Sequence, residues 1–218
     1  MDGASEDGDR HGPAAGRDRA GVGVQRYYAR NAALLGRRYE SVTFAEVHGG
    51  VLDLLPPAPA RVVDIGAGTG RDAAALAALG YQVTAVEPVP ELRQVAGRLR
   101  PGGRVRWVAD ALPELPLVDG GFDLALLSAV WMHLPPPARG RAMARLAEIL
   151  APGGLLVISL RRGAPPVDRE MFDVPAEEVA AEGERAGLRL VRSVTEGADR
   201  LGRAEVWWQS VVLGRDAQ

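Results

Sequence analysis

The chain has 218 residues, 47% of them hydrophobic, which is enough for one well-buried domain and short for two. A formal net charge of −2 implies no broad basic surface for nucleic acid, and the lack of cysteine excludes disulfides, thiolate metal sites and cysteine nucleophiles. No apolar run approaches the roughly 20 residues that span a bilayer, and no signal-peptide core opens the chain, so a cytoplasmic protein without membrane contact is expected.

Residues 1–22 are Gly, Asp, Arg and Ala with few large apolar side chains. They cannot bury enough surface to offset the entropy of ordering, so a disordered tail is expected ahead of one domain over 23–218. His11 lies in that tail and is given no role. Residues 24–40 read as a helix with Ala32, Leu35 and Tyr39 on one stripe. A second helix is expected over 43–55, stopped by Pro56 and Pro57.

The stretch from Arg61 to Gly70 follows: apolar strand, Asp64, then Gly66, Gly68 and Gly70 at alternate positions. A helical pattern from Arg71 to Leu79 comes next, closed by Gly80. Strand, glycine turn and helix start in this order form a cradle for an anionic ligand, because the helix N-terminus offers unpaired N–H groups. The spacing is G-x-G-x-G, with Arg71 in place of the third glycine of the dinucleotide fingerprint, which argues against a nicotinamide dinucleotide. Asp64 would repel a pyrophosphate and suits an ammonium group. A ligand with both a positive and a negative end fits best.

The second strand, from Gln82, ends in Glu87 about twenty residues past the glycines, the usual place for a carboxylate that grips ribose hydroxyls. A third strand, Val105 to Asp110, ends in an acid placed to accept from an exocyclic amine. Ammonium, carboxylate, ribose and adenine together describe S-adenosylmethionine.

The sequence resembles the class I S-adenosylmethionine-dependent methyltransferases. The resemblance rests on the 62–70 loop, Val83 to Pro88, Ala109-Asp110, Phe122 to Ser128 and Leu146 to Ile158, five motifs in order over roughly residues 25–213. The segment Gly68 to Asp72 is similar to the tellurite and thiopurine branch. The resemblance implies a Rossmann-like, doubly wound seven-stranded α/β sheet, mostly parallel with an antiparallel last strand and helices on both faces. Asp64, Gly66, Ala67, Gly68 and Gly70 would then cradle the methionine moiety, Glu87 with Pro88 the ribose, and Asp110 with Ala111 the adenine. Ser128 and Ala129 would line the reacting end. The N-terminal helices, residues 23–58, would cover the cofactor and shape the acceptor pocket, with Tyr27, Tyr28 and Tyr39 as candidate substrate contacts beside a plain packing role.

Later segments fit the same plan. Residues 122–130 form a continuous apolar run, as a central parallel strand requires. Pro135 to Pro137 open a helix through Leu150, and a turn at Pro152 to Gly154 leads into a strand over 155–160. A helix over 175–186 precedes two strands near 188–196 and 204–213, expected as an antiparallel edge pair. Trp207 and Trp208 put one ring on each face of the last strand.

His133, just past the fourth strand, is the candidate general base, since an ordinary imidazole can deprotonate a phenol, hydroxyl or amine. A structural role for it is the competing reading. Trp131 beside it is a candidate substrate contact that would stack on an aromatic acceptor or the adenine, or else closes the core. Of Arg161 and Arg162 after the fifth strand, one, taken as Arg161, is a candidate for binding a carboxylate or phosphate, beside plain solvated charge. Arg71 at a helix N-terminus needs a partner, with Asp72, Asp64 and the cofactor carboxylate as choices. Histidine and acid spacing indicates no metal site. The expected function is methyl transfer to an O or N atom of a small molecule. A protein or tRNA acceptor, and a cofactor-binding member without catalysis, are the alternatives.

Overall fold

The computed structural model describes residues 19–217. Seven strands form one sheet in the order β3-β2-β1-β4-β5-β7-β6. These are β1 (Arg61–Ile65), β2 (Gln82–Val86), β3 (Val105–Val108), β4 (Phe122–Ser128), β5 (Leu150–Arg162), β6 (Leu188–Ala198) and β7 (Trp207–Arg215). The first five are parallel, while β7 runs antiparallel to both β5 and β6. The antiparallel pair expected near the C-terminus is present, with β6 rather than β7 at the sheet edge.

Period-two alternation builds a core on each face of the sheet. Val63, Ile65, Ala125 and Leu127 point to one face, where they meet Trp131, Met143, Leu146 and Ile149. Val62, Leu124 and Leu126 point to the other, against Ala73 and Leu76. Helices α3 (Arg71–Ala78), α4 (Pro90–Leu99), α5 (Pro136–Ile149) and α6 (Ala176–Arg185) cover the sheet. The chain proceeds outward from β1 to β3 and then returns to β4, so the strand order reverses between β1 and β4. A crevice opens at the carboxyl ends of strands at such a point.

The N-terminal segment closes that crevice. Helix α1 spans Arg19–Tyr39, and residues 1–18 of the expected tail, with His11, lie outside the described residues. Ala32 packs on Val89 and Leu92, beside α4. Thr69 Oγ1 donates to Glu40 Oε1 at 2.7 Å, and Arg100 donates to the Thr69 carbonyl at 3.0 Å and pairs with Glu40. These bonds tie the end of α1 to the glycine loop.

The single helix expected over 43–55 is two pieces. Helix α2 (Phe44–Val47) opens with a Thr43/Glu46 capping box, then stops at His48, and a 3₁₀ turn follows over Gly49–Leu54. Gly49 and Gly50 are poor helix formers, and the Gly50 N–H is taken by Glu196 Oε2 at 3.1 Å. The strand expected to reach Val130 ends at Ser128 because Ala129 adopts φ +59° and sends its N–H to Ser159 Oγ at 3.0 Å. Likewise β3 stops at Val108, two residues short of Asp110. Strand β5 starts at Leu150 rather than 155, its early part absorbed by an irregularity opposite Phe122 and Leu124. Among the described residues, no helix is long and apolar enough to cross a membrane.

Candidate functional site

A cavity of about 300 Å³ lies at the carboxyl ends of the central strands, roofed by α1 and α2 and walled by the β6–β7 connection. Its floor is the glycine loop. Gly66, Gly68 and Gly70 all have positive φ, at +72°, +58° and +77°. A Cβ on Gly66 would collide with Val130, whereas one on Gly68 meets no atom within 4 Å and would project into open space. The loop therefore offers bare backbone to a ligand at Gly68 and close packing at Gly66.

Asp64 lines the cavity and is 1% exposed, yet neither carboxylate oxygen has a hydrogen-bond partner among the described residues. Burial, and then the neighbouring Asp72 charge, push its pKa well above the usual carboxylate range, outweighing the Arg71 charge and the Ala73 N–H at the start of α3. A buried carboxyl with no partner is costly unless a cation completes it. Glu87 has the opposite circumstance. Its Oε2 accepts from the Gly68 N–H at 2.8 Å and its Oε1 from the Val89 N–H at 2.8 Å, and burial still raises its pKa. Each oxygen keeps a lone pair for a further donor.

A family model described as a methyltransferase domain matches residues 63–158. Residues 63–158 thus match a methyltransferase domain. An uncharacterized methyltransferase of Mycobacterium bovis is 39% identical over 103 residues, 47% of this chain and 40% of that protein. The ubiquinone biosynthesis O-methyltransferase of Xanthomonas axonopodis pv. citri is 35% identical over 114 residues, 51% of this chain and 47% of that one. The chain thus spans less than half the length of these two relatives. The solved structure of the 1,6-didemethyltoxoflavin-N1-methyltransferase of Burkholderia thailandensis, with bound 1,6-didemethyltoxoflavin and S-adenosylhomocysteine, aligns with a TM-score of 0.71 at 25% identity, covering 94% of this chain and 92% of that one. The S-adenosylhomocysteine bound in that structure is what S-adenosylmethionine leaves after giving up its methyl group, and with the domain match it supports S-adenosylmethionine as the cofactor.

Within the methyltransferase domain, Asp64, Gly66, Ala67, Gly68, Glu87, Pro88, Ala111, Ser128 and Ala129 all line the cavity. Gly70 and Asp110 do not. Gly70 sits behind the loop against Trp107, where a Cβ would approach Cζ2 to 2.8 Å. Asp110 organises the next loop, accepting from Ala111 N–H at 2.8 Å and Leu117 N–H at 2.7 Å. Arg71 takes Asp72, donating from Nε to Oδ1 at 2.7 Å, and His48 Nε2 lies 3.1 Å from the other oxygen. Against its burial, those bonds hold Asp72 well below the usual carboxylate range.

The candidate acceptor residues divide as well. Tyr28, Tyr39, His133 and Arg161 line the cavity. Tyr27 is outside it, edge-on to Tyr28 and beneath the Arg169 guanidinium. Trp131 is fully buried in the core and gives no face to the cavity, because the 3₁₀ turn Trp131–His133 directs its ring inward.

His133 is engaged at both nitrogens. The Glu170 carbonyl, 3.0 Å from Nδ1, can only accept, so Nδ1 carries the proton. Nε2 then accepts from the Tyr28 hydroxyl at 2.9 Å. Burial lowers the His133 pKa from 6.5 to about 4, while burial raises the Tyr28 phenol well above 10.0. The lone pair a general base would use is spent on an inward hydrogen bond.

Several cavity residues escaped sequence reasoning, Ser159 and Asp199 among them, and Trp208 was not placed at the site. Ser159 had a usable signal, a lone hydroxyl in the apolar β5 run, in register with Ser128. Asp199 had none, and the alternation that put one of Trp207 and Trp208 on each face could not say which faces the site, since the Trp208 bond to Asp199 at 3.0 Å depends on how the β6–β7 connection folds back. Neither tryptophan of β7 is a core residue: Trp208 lines the cavity and Trp207 lies under Arg162 on the surface. Among the described residues, no three or more His, Asp or Glu side chains converge as metal ligands.

Proposed function

We propose that the chain is an S-adenosylmethionine-dependent methyltransferase that moves a methyl group to an O or N atom of a small molecule. The observation that carries this is the unpartnered Asp64 carboxyl beside the bare Gly68 backbone and the Glu87 clamp, all in one cavity. An amino-acid ammonium would complete Asp64, and the ribose hydroxyls would donate to the spare lone pairs of Glu87. The cofactor, when bound, supplies a methyl group already activated on a sulfonium.

What the protein adds is placement. The enclosed space beside the cofactor residues is walled by Tyr28, Tyr39, Met132, Met171 and Trp208, which suits a small acceptor with an apolar body. Holding a nucleophile in line can supply several kcal/mol, up to roughly 7–11 in ideal cases. His133 is assigned a positioning part, fixing Tyr28 and hence α1 over the cavity, because its free lone pair is already used. One relative is an O-methyltransferase of ubiquinone biosynthesis, and the solved neighbour is an N1-methyltransferase with its small molecule, 1,6-didemethyltoxoflavin, bound, which supports a small acceptor here.

The test is a turnover assay with S-adenosylmethionine and a panel of small phenols, amines and hydroxylated acids, read by mass spectrometry. Methylated product and S-adenosylhomocysteine should form in equal amounts with at least one acceptor. Turnover confined to protein or tRNA acceptors would refute the small-molecule assignment.

A further inference from the structure

Among the described residues, the cavity holds a buried arginine with no ion-pair partner. Arg161, at the end of β5, is 8% exposed and lines the cavity. Its Nη1 donates to the carbonyls of Gly163 at 3.2 Å and Ala164 at 3.1 Å. Nε and Nη2 have no hydrogen-bond partner among the described residues, and no carboxylate forms an ion pair with it. The other buried or half-buried arginines of the cavity are paired: Arg71 with Asp72 at 2.7 Å, Arg169 with Asp168 at 3.0 Å, Arg203 with Asp199 at 2.6 Å. Burial, and then the Arg203 and Arg169 charges, depress the Arg161 pKa below the ordinary arginine range. Asp199 and Asp173 offset those charges only in part and neither forms an ion pair with Arg161, so one edge of a buried guanidinium is left without a direct counter-charge.

We propose that the methyl acceptor is a small carboxylic acid with an apolar or aromatic body, and that Arg161 anchors its carboxylate. This rests on the methyltransferase reading. The carboxylate is the anchor, and the methyl goes to a separate O or N atom of the same molecule. Two features favour a monoanion over a phosphate monoester. Nη1 is already committed to carbonyls, leaving one edge of the guanidinium, which matches a planar carboxylate. Asp199 and those carbonyl oxygens also border the site and would oppose a second negative charge. The apolar walls continue from Arg161 itself, since Trp208 is its register partner on β7.

The experiment uses the full chain saturated with S-adenosylhomocysteine. Benzoate, phenylacetate, 4-hydroxybenzoate and indole-3-acetate are titrated against their primary amides and phenyl phosphate. Wild type should bind at least one acid about tenfold or more above its amide, the scale of a charge-assisted pair. Arg161→Met should abolish that preference while keeping its affinity for S-adenosylhomocysteine. Arg161→Gln is the second variant should the first fail to fold. Equal binding of acids and amides by wild type, or an acid preference that survives in a folded variant, would overturn the proposal. A phenyl phosphate preference over every acid would overturn the carboxylate assignment. Failure of wild type to bind S-adenosylhomocysteine would instead remove the methyltransferase reading, so the two failures are distinguishable.

Discussion

Gly68 donates its backbone N–H to Glu87 Oε2 at 2.8 Å, locking the glycine loop of β1 to the end of β2. One carboxylate thus shapes the loop and keeps lone pairs facing the cavity. Loop geometry and ligand grip are therefore coupled, and changes at either residue are expected to act on both.

Gly68→Ala is expected to destabilise the fold by about 1–2 kcal/mol, the cost of a left-handed non-glycine residue. Its methyl would also enter space the ligand needs, so affinity for S-adenosylmethionine should fall by more than stability does. Gly66→Ala should show the reverse weighting, since its Cβ meets Val130 rather than the cavity. Chemical denaturation and calorimetric titration of both variants separate the two effects.

Asp64→Asn should trade binding for stability. The folded pKa of Asp64 lies well above the ordinary value, so the native state holds a proton that the unfolded chain has released. Stability from this group is therefore present at low pH and is lost as pH rises from the ordinary carboxylate range through the raised folded value. The asparagine variant should melt higher than wild type above that window and bind S-adenosylmethionine at least tenfold more weakly, about 1.4 kcal/mol. Thermal melts at several pH values check the first part. Wild-type binding should also release protons below the raised pKa, seen as a buffer-dependent heat of titration.

His133 gives a second pH signature. Its folded pKa of about 4 lies below its ordinary 6.5, so the unfolded state binds more protons between those values. Stability should thus fall as pH drops from 6.5 toward 4, and His133→Gln should lose that component. A general base would contribute about 10²–10⁴-fold. The variant is instead expected to keep kcat within about tenfold, with any larger effect on KM. A loss in kcat beyond a hundredfold at unchanged KM would restore His133 as the base.

How legible the sequence was depended on whether function sat in local pattern or in tertiary placement. The 61–70 stretch reads directly as strand, loop and helix start because alternation and glycine spacing act over a few residues. Glu87, read as the acid that follows the second strand, lines the cavity for the same local reason. Asp110 and Trp131 were not placeable in this way because their orientation is decided beyond the strand: Asp110 accepts from the Leu117 N–H, and Trp131 packs in the core, one of the two roles its position allowed. The spent lone pair of His133 depends on a bond to Tyr28 across 105 residues. No local pattern encodes that contact. The unpaired state of Arg161 is likewise visible only once its neighbours are in place.

The most direct measurement is calorimetric titration of wild type and Glu87→Ala with S-adenosylmethionine, S-adenosylhomocysteine and NADH. Wild type should bind the first two in the micromolar range, around −8 kcal/mol, and NADH not at all. The variant should lose most of that affinity. Binding of NADH alone, or an unchanged affinity in Glu87→Ala, would contradict the assignment of this cavity.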